Sequence, residues 1–161
     1  MHGRFKRGVL GVALVAALSV APALMSATSA GAWFTGTQGC TPGYWKNHTD
    51  AWADTPYSPT DTVGSVFAVP ANLSSFSSET LLDALNGGGG PGLSGAAEIL
   101  LRAGVAGLLN STDPGIDFQG SQHLIIKHVD AALASGKRGV MIRWGARIDA
   151  RNNGQGGCPL S

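Results

Sequence analysis

The sequence predicts an all-α fold, a small disulfide-clasped bundle of about four to five short helices joined by long Gly/Pro/Ser-rich loops. Three observations lead there. Apolar residues recur at the helical period through the second half of the chain, most densely between Gly95 and Asn110. The 24 glycines and 8 prolines cut the chain into short pieces, because glycine costs backbone entropy and proline lacks a donor. Cys40 and Cys158 stand near the two ends of the stretch that would fold.

Residues 1–32 are laid out as a secretion signal. Arg4, Lys6 and Arg7 make a basic start, Val9 to Leu24 follow without a charge, and Ala27, Ser29, Ala30, Gly31 and Ala32 offer a cleavage site. Cleavage is expected near Ala30 or Ala32, leaving a mature chain from Trp33. The apolar core is broken by Pro22 and falls short of the roughly 20 residues that span a bilayer, so no membrane span is expected after cleavage. Three of the 11 basic residues leave with the signal while all 10 acidic ones stay, so the mature chain carries −2. That balance gives no support to a nucleic-acid partner, which calls for a strongly basic domain. Residues 33–161 suit a single extracellular domain with one core. Export into an oxidising space makes a Cys40–Cys158 bridge the natural reading, against two unrelated thiols or a partner in another chain.

Within the mature chain, Thr41-Pro42-Gly43 reads as a turn, followed by a short helix from Tyr44 to about Ala53. Trp45, His48 and Trp52 recur at i, i+3 and i+7 and share a face. That face reads either as a core seam with the imidazole packed between two indoles, or as an exposed platform of Tyr44, Trp45, His48 and Trp52 for a sugar ring or a proline-rich ligand. Asp54 to Phe76 reads as loop with one short strand at Val63–Phe67. Ser77 or Ser78 is the expected cap of a helix carrying Glu79, Leu81, Leu82 and Leu85 and stopping at Asn86-Gly87. Gly87 to Gly92 reads as a flexible connector; no Lys-Ser/Thr follows, so it is not a Walker-type phosphate cradle.

Ser94 is the expected cap of a nearly buried central helix, Gly95 to Asn110, with Glu98 and Arg102 as an i, i+4 ion pair. After an Asp113-Pro114-Gly115 turn, Ser121 caps a helix from Gln122 to Ala134 that Gly136 ends; Lys127, Asp130 and His123 face out. Residues 138–151 form the last helix, weakened by Gly139 and Gly145, with Val140, Met141, Trp144 and Ile148 inward. Arg143, Arg147 and Arg151 line up at i, i+4 and i+8, either a solvated face or a basic strip for an acidic cell-surface polymer.

The segment Gly39-Cys40-Thr41-Pro42-Gly43-Tyr44-Trp45-Lys46-Asn47-His48, the helix ending Ala106 to Asn110 and the closing Gly157-Cys158-Pro159-Leu160 together resemble a recurring, uncharacterised module of secreted microbial proteins. Its members begin with Cys-x-x-Gly-Tyr-Trp-Lys-(Asn/Thr)-His, carry Leu-Leu-x-x-Leu followed by glycines, and close with Asn-x-x-Gly-Cys-Pro-Leu. Here these fall on Cys40 with Gly43 to His48, Leu81 to Leu85 with Gly87 to Gly90, and, with one extra residue before Gly157, Asn153 to Leu160, over nearly the whole mature chain. Gly107 departs from the pattern, where alanine is more usual. The resemblance implies an extracellular helical module, alone or appended to larger surface proteins, and brings no activity with it.

Residue chemistry points the same way. Glu79 and Asp83 are an acidic i, i+4 pair without a recognisable catalytic neighbourhood. His123 and His128 are five apart and point to different helix faces, and Asp61, Asp113 and Asp117 lack the calcium-loop pattern. No metal, cofactor or catalytic residue is therefore expected. Asn47, Asn72 and Asn110 each satisfy the glycosylation rule. The expected function is a non-catalytic extracellular binding or surface-structural module, whose partner is a cell-surface polymer or another extracellular protein. The alternatives are a carbohydrate-binding module using exposed Trp45 and Trp52, and a cell-wall or glycan hydrolase using Glu79, Asp83 or His48.

Overall fold

A computed structural model describes residues 36–161; the secretion signal and Trp33 lie outside the described residues. Six helices follow in order: α1 (Pro42–Asn47), α2 (Val63–Val66), α3 (Leu81–Asn86), α4 (Gly92–Asn110), α5 (Gln122–Ala134) and α6 (Arg138–Asn152). Two 3-10 segments, Thr49–Asp54 and Ala71–Ser78, lie between them. Among the described residues the extended pairing is confined to two isolated bridges, Gln38 with Phe118 and Thr62 with Thr80. The fold is all-α, and Cys40 and Cys158 are bonded.

The central helix is α4, buried over nearly every turn from Gly95 to Asn110. It packs most extensively on α6 and also on α3, α5 and α1. It is long and apolar enough to cross a bilayer, but 67% of its most apolar stretch is already inside the fold, the state expected of a core helix. Close approach to its neighbours rests on missing side chains. A Cβ on Gly104 would stand 2.8 Å from Val129, and one on Gly145 of α6 would stand 3.3 Å from the Leu100 backbone. The glycines that weaken these helices in isolation are what lets them touch.

Gly107 shows which effect wins. A Cβ there would lie 2.8 Å from Ile148 Cγ2 and 3.3 Å from Ile125 Cδ1. Ile148 is branched next to its backbone and cannot swing aside cheaply. Overpacking costs about 1–3 kcal/mol, against about 1 kcal/mol gained in helix propensity. Gly107→Ala is therefore expected to lower the thermal midpoint despite being the better helix former; a raised midpoint would contradict the packing.

The first helix ends sooner than the spacing predicts. His48 has φ −125° and ψ 63°, so α1 stops and the chain continues as a 3-10 turn. At the stop the His48 ring turns back on the helix, its Nδ1 lying 2.9 Å from the Tyr44 carbonyl and donating to it beside the backbone N–H of the same residue. Thr41 starts the helix, its hydroxyl accepting from Tyr44 N, with Pro42 in the first turn.

Val63–Val66 is helical, not the expected strand. Val63 N donates to Glu79 O and Leu81 N to Asp61 O, but the pairing lasts one bridge before the chain turns. The segment then packs on Ala71–Ser78, where a Cβ on Gly64 would meet Ser77. Because residues 71–78 coil on their own, the cap of α3 falls later than Ser77 or Ser78. Thr80 accepts from Asp83 N at 3.0 Å while Asp83 Oδ2 accepts from Thr80 N at 3.2 Å, a reciprocal capping box.

The connector Gly87 to Gly92 is held in place, contrary to the flexible link expected. Glu98 Oε2 accepts from Gly89 N at 2.9 Å, and Arg102 donates to Gly87 O at 3.1 Å. The two side chains foreseen as a mutual pair thus each grip the loop. A Cβ on Gly95 would meet the Gly90 carbonyl, so the backbone lies directly on α4, which begins three residues before the expected start. In α5 the expected boundaries and cap hold, with Ser121 accepting from Leu124 N. Lys127 and His123 are exposed as expected, whereas Asp130 is half-buried and accepts from Ala68 N at 2.9 Å.

Candidate functional site

The two tryptophans of the N-terminal segment fold inward. Trp45 is 0% exposed and Trp52 1%, and the two indoles meet edge to face at 6.5 Å. They present no ring to a sugar, and the exposed-platform reading fails for them. Tyr44, half-buried, and His48, exposed, stack at 4.2 Å on the outside, so the imidazole is not packed between indoles. Tyr44 OH donates to Leu160 O at 3.1 Å, fastening the C-terminus over the N-terminal helix. Burial first, then Asp50 and Asp113, raises the Tyr44 pKa above its ordinary value.

Sequence reasoning missed the centre of this arrangement, two buried asparagines. Asn110 ends α4 and Asn152 ends α6, both 0% exposed. Asn110 Oδ1 accepts from Cys40 N at 2.8 Å and from Trp45 Nε1 at 3.0 Å. Its Nδ2 donates to Cys40 O at 2.9 Å and to Asn152 Oδ1 at 3.0 Å. Asn152 Nδ2 then donates to Ala103 O at 2.9 Å. One carboxamide fills its hydrogen-bonding capacity while joining the cysteine backbone, the tryptophan and α6. Trp52 Nε1 donates to Trp45 O at 3.0 Å, so both indole N–H groups are satisfied inside. The available signal was a polar residue closing an otherwise apolar helix. Burial also keeps Asn110 from serving as a glycosylation acceptor in the folded chain; Asn47 and Asn72 are exposed.

Other candidates are engaged in structure. Asp83 belongs to the α3 capping box, and Glu79 has its pKa raised by burial, then by Asp83 and Glu98. Asp113 Oδ1 accepts from Gly115 N, and Asp61 Oδ2 from Ser58 N. Among the described residues no group of three or more His, Cys, Asp or Glu is placed to hold a metal ion. A polar cleft of about 380 Å³ is lined by Thr41, Lys46, Asn86, Gly88, Arg102 and Asp149 among others. A smaller, more apolar one of about 200 Å³ shares Arg102 and Asp149 and reaches Ile99 and Ile142.

The most distinctive surface is on α5 and α6. Arg143 and Arg147 are exposed and Arg151 half-buried. The Arg147 guanidinium carbon stands 5.1 Å from the Trp144 ring centroid, and His128 stacks on the same indole at 3.9 Å with an interplanar angle of 16°. Trp144 is only half-buried, so the expected inward residue forms the floor of this surface. Residues 122–152 hold Lys127, Lys137, Arg138, Arg143, Arg147 and Arg151 against Asp130 and Asp149, a net +4. Residues 36–121 hold Lys46 and Arg102 against eight carboxylates, a net −6. The near-neutral total conceals a charge strongly divided between two stretches of the chain.

Burial lowers the His128 pKa from its ordinary 6.5, and Arg151, Lys127 and Arg147 lower it further. The folded state thus takes up this proton less readily than the unfolded chain. The stability tied to His128 is complete above the unfolded value and falls as pH drops through it towards the folded value. His128→Gln is expected to flatten part of the decline in thermal midpoint between roughly pH 7 and 5; parallel curves for variant and wild type would contradict this.

No family model, curated protein or solved structure matches this chain.

Proposed function

We propose that this chain is an exported, disulfide-clasped module that acts outside the cell by binding or by building surface structure, without catalysis. The observation that carries this reading is the use of the motif residues: Cys40, Trp45 and Asn110 close on one another in the interior. They serve to clasp a small fold. Cys40 bonded to Cys158 is compatible with an extracellular protein, since such bridges persist in oxidising compartments. The layout of residues 1–32 and the resemblance to secreted microbial modules support export. What the fold leaves outside is a cationic, aromatic-floored face of the kind that contacts a partner.

Fractionation of cells expressing the full chain tests export: a form cleaved near Ala30 or Ala32, with its thiols blocked by the bridge, is expected outside the cytoplasm. Retention inside the cell of an uncleaved chain with both thiols free would overturn it. Co-sedimentation of the exported protein with isolated cell envelopes tests binding. Turnover of an envelope polysaccharide that disappeared in Glu79→Gln would overturn the non-catalytic reading in favour of a hydrolase.

A further inference from the structure

We propose that the α5–α6 face is a binding site for an acidic polysaccharide, with Lys127, Arg147 and Arg151 meeting its anionic groups and Trp144 holding Arg147 in position. The proposal rests on the binding reading above and names its ligand class. Arg147 and Arg151 are one helical turn apart on α6, so their anchors are about 6 Å apart along the axis, and Arg143 extends the row by another turn. A single small anion cannot bridge such a row; a linear polymer with repeated charges can. Stacked on Trp144, His128 lies near Lys127, Arg147 and Arg151, so the two helices bring their positive groups together. The indole is occupied by an imidazole and a guanidinium, which makes it a floor that orients cations and not a bare platform for a neutral sugar.

A second feature favours a sugar polymer over an acidic protein. Arg151 also lines a cleft of about 280 Å³ with Thr37, Gln119, Gly154 and Gln155. Hydroxyl and carboxamide side chains beside a guanidinium suit the mixture of hydroxyls and acid groups that such a polymer carries. The net −6 of residues 36–121 repels a polyanion from the rest of the molecule and directs it to this face.

The test is retention of the exported, disulfide-bonded protein on immobilised heparin for sulfate, polygalacturonate for carboxylate, poly-glutamate, double-stranded DNA and neutral dextran. Retention by heparin or polygalacturonate is expected and dextran is not; which of the two binds better separates sulfate from uronate ligands. Affinity is expected to fall about tenfold between roughly 50 and 200 mM salt, the behaviour of a few released counterions. The double variant Lys127→Gln with Arg147→Gln is expected to bind about three- to tenfold more weakly, and Lys46→Gln, an equal kind of charge loss elsewhere, within about twofold of wild type. Circular dichroism of each variant establishes that it is folded. Unchanged retention of the folded double variant overturns the site while leaving the binding reading intact. Equal retention by poly-glutamate, or retention by DNA alone, overturns the ligand class. Loss of binding to isolated envelopes as well as to every polymer removes the binding reading itself.

Discussion

Asn110→Ala is expected to destabilise the protein by about 4 kcal/mol, a large share of the 5–15 kcal/mol typical of a whole domain. The alanine abandons Cys40 N, Cys40 O, Trp45 Nε1 and Asn152 Oδ1, all of which bond to one carboxamide. A buried group left unpaired costs about 1–3 kcal/mol, and partial relaxation keeps four of them from adding in full. Among the described residues no buried side-chain nitrogen or oxygen lacks a hydrogen-bond partner, so the wild type starts from complete satisfaction. Asn110→Asp distinguishes hydrogen bonding from size. It retains an acceptor for Cys40 N and Trp45 Nε1 but turns a carboxylate towards the oxygens of Cys40 and Asn152, so it is expected to be at least as damaging as alanine. Urea unfolding of the disulfide-bonded variants measures both effects. A loss below about 1 kcal/mol in each would show that the node is incidental.

Breaking the clasp is the second large effect. Cys40 and Cys158 are 118 residues apart, so the bridge closes nearly the whole described chain. In the chain-entropy account a loop of that size removes about 5 kcal/mol of unfolded-state freedom. The double variant Cys40→Ser with Cys158→Ser is expected to lose most of that amount, seen as a fall in the urea midpoint with a larger m-value as the unfolded chain expands. The loss should be felt beyond the termini, because the clasp lies beside the asparagine node. Gly39 N bonds to Gly157 O and Gly156 N to Thr37 O, while Gln38 N bonds to Asp117 O. The N-terminal strap is therefore held between the C-terminal tail and the loop after α4. An unchanged midpoint in the double variant would mean that these hydrogen bonds and the asparagine node suffice without the covalent tie.

The pieces legible in advance were those set by neighbours along the chain. The α5 boundaries followed from a serine cap, an apolar stripe and a closing glycine, all within a few residues. Burial of α4 followed from a helix with almost no polar face. The misses share a different cause. The Val63–Phe67 segment has strand-like composition, but no partner runs beside it for more than one residue pair. His48 leaves the helical conformation, with φ −125° and ψ 63°, which spacing alone does not reveal. Glu98 and Arg102 have the correct separation for a mutual pair, yet the glycine loop offers them backbone partners instead. At the candidate site, the arginine row was visible as a helical repeat, while Lys127 and His128 join it only because α5 packs against α6.

By itself, the order of residues determined the helical class and the principal helices, since these depend on local periodicity, and offered one intramolecular pairing for its two cysteines, which the structure makes. Tertiary structure alone decided that Trp45 and Trp52 turn inward, that Asn110 and Asn152 meet, and that His128 of α5 stacks on Trp144 of α6. The physical reason is distance along the chain. Asn110 acts on Cys40 from 70 positions away and on Asn152 from 42, and such contacts exist only after the chain has closed on itself.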